Sequence, residues 1–547
     1  MSAATAAPGA AGARRTRRGG GLVGFRPLLK VSMHQDVRNI APWVVLISAL
    51  SASSILAYAW IFPDQSDRVA LSTSLGANPA LSLIFGPARD LMTADGFNAW
   101  RAGQLGAFFA GLMAVLTVVR NSRANEDSGQ AELIASGVIA RGSRLAVAVA
   151  MATIGSIAIG VVCFLVTIAC GGGITATAIL SASFTASGLV FTGVAAIAAQ
   201  LGSDARTASS IGIGTLGVFY VLRGYIDTSS AADWVTWLTP FGWLEKAGPA
   251  IDDDPWPLLL AVALAVLLVA TAFALQERRD FGQGMVAQRP GPAEAGLAGN
   301  VWGLALKLNA GSTIAWLIAF AGLGLLFGTL ATSIGDIITD NPGVARILAS
   351  GAASASDLTF AFLATILQII AIIAAVMGVQ VALAVYAEEI DFRVEPLLAA
   401  SLRRHTYLAS NAIIALVGPA LAMVIAGTTL GLVAHGRDDT IATGDVIRQA
   451  VVTIPAVWVL VGIALAVVGA RPVVRLAAWV GVIATFGLTL LGPTFNLPDW
   501  ALDISPLRHV PNVTAPDPSW ASLGWLCLIA AALVAVAFAG FRRRDVI

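Results

Sequence analysis

A chain of 547 residues that is 57% hydrophobic, only 12% charged and of mean hydropathy +0.81 lies outside the ordinary soluble classes. Its net charge of +1 offers no excess of positive charge for nucleic acid. Cys163, Cys170 and Cys527 fall in or beside apolar runs, where they read as small hydrophobes, and no disulfide framework or metal-ligand spacing is present. What remains is an all-α polytopic membrane protein.

In chain order, residues 1–24 are rich in Ala, Gly and Arg and read as a disordered basic tail without the apolar core of a signal peptide. The segment 24–39 and its later counterpart 299–312 mix apolar and basic residues and read as helices lying in the membrane interface. Apolar runs of the roughly 20 residues needed to cross a hydrocarbon core predict about twelve transmembrane helices. They are centred on 42–62, 98–119, 145–169, 178–200, 207–225, 255–276, 313–333, 358–386, 408–433, 446–469, 474–493 and 520–540.

Lys and Arg concentrate on the cytoplasmic side of a membrane. With both termini inside, the tails, the central linker and the loops after spans 2, 4, 8 and 10 carry 24 of the 33 basic residues and 13 of the 32 acidic ones. The other face keeps 9 basic and 19 acidic, including Asp252, Asp253 and Asp254. The expected protein is therefore multi-pass in the cell membrane with cytoplasmic N and C termini.

Self-similarity runs along the chain at an offset near 265. "DWVTWLTPFGW" (233–243) matches "DWALDISPLRH" (499–509), setting Asp233 with Asp499, Trp234 with Trp500 and Pro240 with Pro506, and "RRD" at 278–280 matches "RRD" at 543–545. The expected organisation is a six-span half over 25–280, a linker over 281–298 and a second six-span half over 299–547. An even number of spans per half makes this a parallel repeat.

The stretch "NEDSGQAELIASGVIAR" (125–141) is polar for its surroundings, and "EEIDFRVEPLLAASLRR" (388–404) repeats its logic on the same face. Ala131, Ile134, Ala135, Val138 and Ile139 follow helical spacing, and Val394, Leu397, Leu398, Ser401 and Leu402 repeat the stripe 263 residues later. On this reading Glu126 and Asp127, or Glu388 and Glu389, open a helix, Glu132 or Glu395 forms a charged shoulder, and Arg141 or Arg404 closes it. Two roles fit such a helix: resting on lipid headgroups, or docking its apolar stripe in a partner's groove.

Transport against a gradient needs an energy source, yet ionisable residues deep in the spans are scarce. Arg101, Arg223, Glu388 and Glu389 fall near span ends. The chain has no G-x-x-x-x-G-K-[ST] phosphate loop and no Gly-Lys pair, so an ATP motor would be another polypeptide.

Two six-span halves, the repeated loops "EDSGQAELIAS" and "EEIDFRVEPLLAAS", the outer "LTPFGW" and the terminal "RRRD" resemble the ABC-2 type permeases. More narrowly, they resemble the fused actinobacterial permeases of polyketide-antibiotic or tetronasin-type multidrug exporters, over about residues 25–547. The resemblance implies coupling helices at 126–141 and 388–404, using Glu126, Asp127, Gly129, Gln130, Glu132, Ile134, Val138 and Arg141, and Glu388, Glu389, Arg393, Glu395, Leu397, Leu398 and Arg404. It also implies two copies of a separate ABC ATP-binding subunit carrying ATP and magnesium, no cofactor and no catalysis in this chain, and export of hydrophobic or amphipathic small molecules. Gln130 stands where the family has Arg, as Arg393 does in the second copy, and Phe392 stands where the first copy has Gly129. The alternatives are a proton-coupled drug antiporter and an ABC exporter of lipid.

Trp234, Trp237, Phe241, Trp243 and Trp500 gather in the outer segments, and the spacing of Trp234, Trp237 and Phe241 predicts one shared helical face. They suit either an interfacial aromatic belt or an outer gate for an apolar substrate. By the resemblance, spans 2 and 5 line the path, and the small residues of "SSIGIGTLG" (209–217) allow close helix approach. Pro419 and Pro455 predict kinks in the second half, and His509 reads as a surface histidine.

Overall fold

The computed structural model describes residues 22–66, 68–69, 72, 82, 84–128, 139–228, 232–279, 284–286, 294–340, 355–400, 402–491, 498–515 and 518–544. The chain divides into two compact units, Met1–Pro290 and Gly291–Ile547. Unit 1 contains α1 (Phe25–Ile61), α2 (Ala94–Val119, running on through a π-helical turn to Asp127), α3 (Arg141–Ala169), α4 (Ile174–Leu201), α5 (Ala205–Thr228), α6 (Pro240–Lys246) and α7 (Trp256–Arg278). Unit 2 contains α8 (Val301–Asp340), α9 (Ala355–Ile390), α10 (Glu395–Ala399), α11 (Arg404–His435), α12 (Thr443–Ala470), α13 (Ala477–Phe486), α14 (Asp499–Leu502) and α15 (Trp520–Arg543).

A helix stands at each of the twelve places where a span is expected, and among the described residues there is no strand. Ten helices are long and apolar enough to cross a bilayer, as a polytopic all-α membrane protein requires. The two that fall short occupy the fifth position of each half. α5 carries Arg206, Arg223 and Asp227, and α13 is ten residues long and passes into the π-helical turn Gly487–Leu491.

The separate interfacial helices do not form. α1 is one helix of 37 residues and α8 one of 40, so α1 is about 55 Å long at 1.5 Å per residue. Asp36 explains the continuity in unit 1: it is buried, accepts from Asn39 and Asn121 and lies 3.6 Å from Arg120. These contacts hold the first turns of α1 against the end of α2. Pro42, Pro419 and Pro455 all lie inside unbroken helices.

Each unit buries its own core. Met113, Phe184, Phe191, Leu216 and Phe241 centre unit 1; Phe320, Leu367, Met423 and Leu465 centre unit 2. Inside unit 1, Asn98 donates to Ser51 and Ser51 meets Thr167, each at 2.9 Å, so α1, α2 and α3 are joined by hydroxyl and amide groups. Of the glycines in 209–217, only Gly212 serves a close approach: a Cβ there would sit 2.7 Å from Val115, whereas Gly214 and Gly217 meet nothing within 4 Å.

A tight crossing in unit 2 joins α12 to α15. A Cβ on Gly469 would lie 2.2 Å from the Ala537 carbonyl oxygen, and one on Gly540 would lie 2.5 Å from the Ala470 Cα. Backbone atoms cannot rotate away as a side chain can, so Gly469→Val forces the helices apart. We expect a loss of at least the 1–3 kcal/mol typical of overpacking, measured as a lower midpoint for thermal unfolding of the purified protein, while Gly214→Ala leaves it unchanged.

Candidate functional site

The π-helical turn Arg120–Ala124 prolongs α2 and brings Glu126 to the place where α4 and α7 end. Carboxylates at a helix C-terminus oppose the helix dipole, and arginines offset this. Arg279, just past α7, grips both Glu126 oxygens at 2.7 and 2.8 Å and donates at 3.0 Å to the Ala199 carbonyl of α4. Arg123, almost wholly buried, reaches Glu126 at 2.9 Å and the same Ala199 carbonyl at 2.7 Å. Asp127 caps α5, accepting from the Ala205 amide at 2.7 Å. One carboxylate thus ties the ends of α2, α4 and α7.

Unit 2 builds the same device from residues far away in sequence. Glu389, 2% exposed at the end of α9, meets Arg544 at 2.6 Å, and Arg544 also donates to the Gly469 carbonyl at the end of α12 at 3.1 Å. The spacings that align Glu126 with Glu389 and Arg279 with Arg544 are those of the sequence repeat. The position of Arg123 is taken by Tyr386, so unit 2 has one arginine in the clamp where unit 1 has two. Glu388 accepts from the Tyr407 hydroxyl at 2.7 Å, and Arg404 donates to the Arg544 carbonyl at 2.9 Å, adding the start of α11 to the assembly.

These contacts revise several expectations. Glu126, Asp127, Glu388 and Glu389 close helices instead of opening one, and Arg141 and Arg404 open α3 and α11 instead of closing an amphipathic helix. The expected helix over 388–404 is reduced to the five residues of α10, because α9 ends in a tight reversal at Phe392. Val394, Leu397, Leu398 and Leu402 do not offer a stripe to a partner. They pack against Val385, Tyr407, Leu408, Val468 and Phe541 of their own unit. Burying them there removes apolar surface from water at about 25 cal/mol per Å², without waiting for a partner. The face left exposed is Asp391, Phe392, Arg393, Glu395 and Pro396, with Arg393 and Asp391 paired at 3.2 Å. In the first copy, Gly129, Gln130, Glu132, Ile134 and Val138 lie outside the described residues, as do the tail up to residue 21 and much of the 281–298 linker.

Phe392 has a left-handed backbone, φ +56°, and is 61% exposed. Its amide and that of Arg393 bond back to the Glu389 and Glu388 carbonyls at 3.0 Å, a helix ending that glycine normally serves. In the repeat its position is that of Gly129.

The aromatics expected on the outer side do not share one helical face. Asp233–Leu238 is a 3-10 segment, after which Thr239 caps a new helix whose first residue is Pro240. Proline has no amide to continue the preceding turn. Trp234 and Trp237 stay exposed, whereas Phe241 is fully buried between Phe191 and Tyr220, both 5.5 Å away. Trp243 donates to the Trp237 carbonyl at 2.7 Å, and Trp500 is exposed on α14. His509 is exposed and bonds to the Asp503 carbonyl. An apolar cleft lies between α4, α5 and α7, with Phe191, Ile197, Ile211, Phe219, Leu264 and Leu268 on its walls. Its lining comes from spans 4, 5 and 6 of unit 1.

The Glu–Arg pairs were missed as contacts, although both their members and their repeat were visible in the sequence. Comparison with known proteins agrees with this architecture. Residues 66–275 and 299–542 match the family described as "Multidrug efflux system permease Rv1217c, C-terminal domain". The chain is 35% identical over 546 residues, 98% of each chain, to the "Multidrug efflux system permease protein Rv1217c" of Mycobacterium tuberculosis (strain ATCC 25618 / H37Rv). A multi-pass helical chain whose two units each tie their helix ends with the same carboxylate, arginine and carbonyl belongs to the Rv1217c family of multidrug efflux system permeases.

Proposed function

We propose that this chain is the permease subunit of an ATP-driven ABC-2 type exporter of hydrophobic or amphipathic small molecules, of the tetronasin-type or other antibiotic class. It is driven by two copies of a separate ATP-binding subunit docked at the 125–141 and 388–404 loops on the cytoplasmic side. The termini share that side, the repeat gives each six-span half one docking loop, and ATP and magnesium belong to the partner.

The observation that carries this reading is the mechanical join beneath each loop. Glu126 and Glu389 are fixed to the ends of three helices, so force applied to the loop reaches the whole unit. Phe392 supports docking from another direction. A left-handed backbone costs a non-glycine residue about 1–2 kcal/mol, and its exposed ring makes no compensating core contact. The docking face we assign in the second loop is therefore Phe392, Arg393 and Glu395, with the apolar stripe serving as its foundation. The apolar cleft of unit 1 supports an apolar cargo.

A proton-driven antiporter is the second reading, favoured by the carboxyl pair Asp227 and Glu245, whose side chains are 3% and 10% exposed. Cells loaded with a fluorescent cationic dye separate the two. Export by the ATP-driven system persists when an uncoupler collapses the proton gradient while ATP is maintained, and stops when ATP is depleted with the gradient intact. The opposite pattern would assign the energy to protons.

A further inference from the structure

At the end of unit 1 remote from the clamp, where α2 begins, a pocket opens between the 85–93 loop, α2, α4 and α6. Phe85 and Trp100 form an aromatic wall, with ring centres 5.0 Å apart, and the Trp100 indole donates to the Gly86 carbonyl. Gly86 has φ +88°, and a Cβ there would meet Arg223 at 3.3 Å and Gln104 at 3.5 Å, so glycine is what lets this loop close over the site.

The polar groups around the pocket are unevenly matched. Arg223, fully buried in α5, is held by Asp227 at 2.8 Å and by the Ser82 and Ile84 carbonyls. Arg89 holds one oxygen of Glu245 at 2.5 Å. The other oxygen of Glu245, whose side chain is 10% exposed, has no donor among the described residues. Neither has the side-chain oxygen of Gln104, a residue 6% exposed. Both residues line the same pocket. A buried acceptor left without a donor costs about 1–3 kcal/mol, and two facing one space call for an occupant that brings N–H or O–H groups.

Charge selects among such occupants. The two guanidinium groups, Arg89 and Arg223, face three carboxylates, Asp90, Asp227 and Glu245, of which Asp90 is already satisfied by the Met92 amide and the Thr93 hydroxyl. The set is one negative charge in excess, and an aromatic wall adds to the attraction for a cation. We propose that this pocket binds an organic ammonium group, held by Glu245 and Gln104 against the Phe85–Trp100 wall. The site belongs to unit 1 alone. The spacing that aligns Pro240 with Pro506 puts Pro511 at the position of Glu245 and Thr489 at that of Arg223.

A proton competes for the same place. The nearby charge of Asp227 makes a proton on Glu245 more favourable. Burial first, and then the charge of Asp227, push the Glu245 carboxyl up to about 7, against the opposing pull of Arg89 and Arg223. α2 and α4 bring only uncharged groups to the lining, among them Trp100, Gln104, Leu180 and Ser183. Below pH 7 the proton fills the pair and opposes the ammonium group; above it the pair is open. Binding therefore strengthens as pH rises through about 7 and then levels off.

The test uses the full chain in a non-ionic alkyl maltoside detergent, which carries no ammonium group, with no nucleotide and no other protein, so it stands or falls separately from the energy source proposed above. The probe is ethidium, whose fixed positive charge and two amino groups do not titrate in this range, followed by fluorescence polarisation. Saturable binding about tenfold tighter at pH 8 than at pH 6 is expected, since the competent fraction scales the apparent affinity. Glu245→Gln should weaken binding at pH 8 by about tenfold and remove the pH dependence; each pH unit of linkage is tenfold in affinity. Gln104→Met should weaken it while keeping the pH dependence, and this variant carries the test if Glu245→Gln does not fold. When phosphatidylethanolamine is added to the micelles, weaker ethidium binding identifies the lipid headgroup as the natural occupant, and unchanged binding identifies a dissolved amine. Absence of saturable binding, binding indifferent to pH, or a folded Glu245→Gln protein that matches the wild type overturns the proposal.

Discussion

Arg544→Met is expected to reduce efflux at least tenfold and to lower the thermal stability of the protein, whereas Arg279→Met has a smaller effect on both. The difference follows from the number of arginines in each clamp. Without Arg544, Glu389 is left 2% exposed with no cation of its own, and the Gly469 carbonyl loses its side-chain donor. Removing one partner of a buried pair costs about 3–5 kcal/mol, much of it the burial of the stranded charge. Without Arg279, Arg123 still reaches both Glu126 and the Ala199 carbonyl. Pairing Arg544→Met with Glu389→Gln removes the stranded charge and should restore most of the stability. If the clamp transmits force, this double variant stays poor in efflux, because the polar tie from the end of α9 to the ends of α12 and α15 is gone. Recovery of efflux along with stability would reduce the clamp to a structural tie.

Reversing Glu132 and Glu395 together, as Glu132→Lys with Glu395→Lys, should abolish partner-driven efflux, by a hundredfold or more, while leaving expression and thermal unfolding unchanged. Glu395 lies on the exposed side of its loop, away from Val394 and Leu398, which face the core. Exposed charges contribute little to folding, but a like charge set against a partner's surface costs several kcal/mol at an interface. The single variants need not be equal, because the second loop presents Phe392 and Arg393 where the first has Gly129 and Gln130. Efflux at the wild-type level by the double reversal would remove both loops from the docking surface.

The spans were legible because a bilayer demands a long apolar helix, and that demand is written in composition. The repeat was legible too, and it held the clue to the clamp: Glu126 and Glu389, Arg279 and Arg544 stand at matching places. What linear order hides is that 153 and 155 residues separate the members of each pair. They meet only because three helices end at one level. The apolar stripe of the second loop was seen correctly as a stripe, but periodicity shows that a face is apolar and not what covers it. Val394 is buried by Tyr407 and Phe541, residues with no special mark in the sequence. Helical spacing fails for Trp234, Trp237 and Phe241 because one short helix stops and another starts at Thr239–Pro240. In the sequence Arg223 stands near a span end, and Glu245 sits in a segment dominated by its tryptophans. Their convergence on Asp227 and Arg89 depends on how α5 and α6 fold back onto the loop before α2.

The most direct test is to purify the chain from its native membrane in mild detergent and to identify and count what accompanies it. The expected companion is a separate protein bearing a phosphate-binding loop, two copies per chain, lost from the Glu132→Lys, Glu395→Lys preparation although the permease remains folded. A chain that emerges alone and moves drugs in liposomes with only a proton gradient would contradict it.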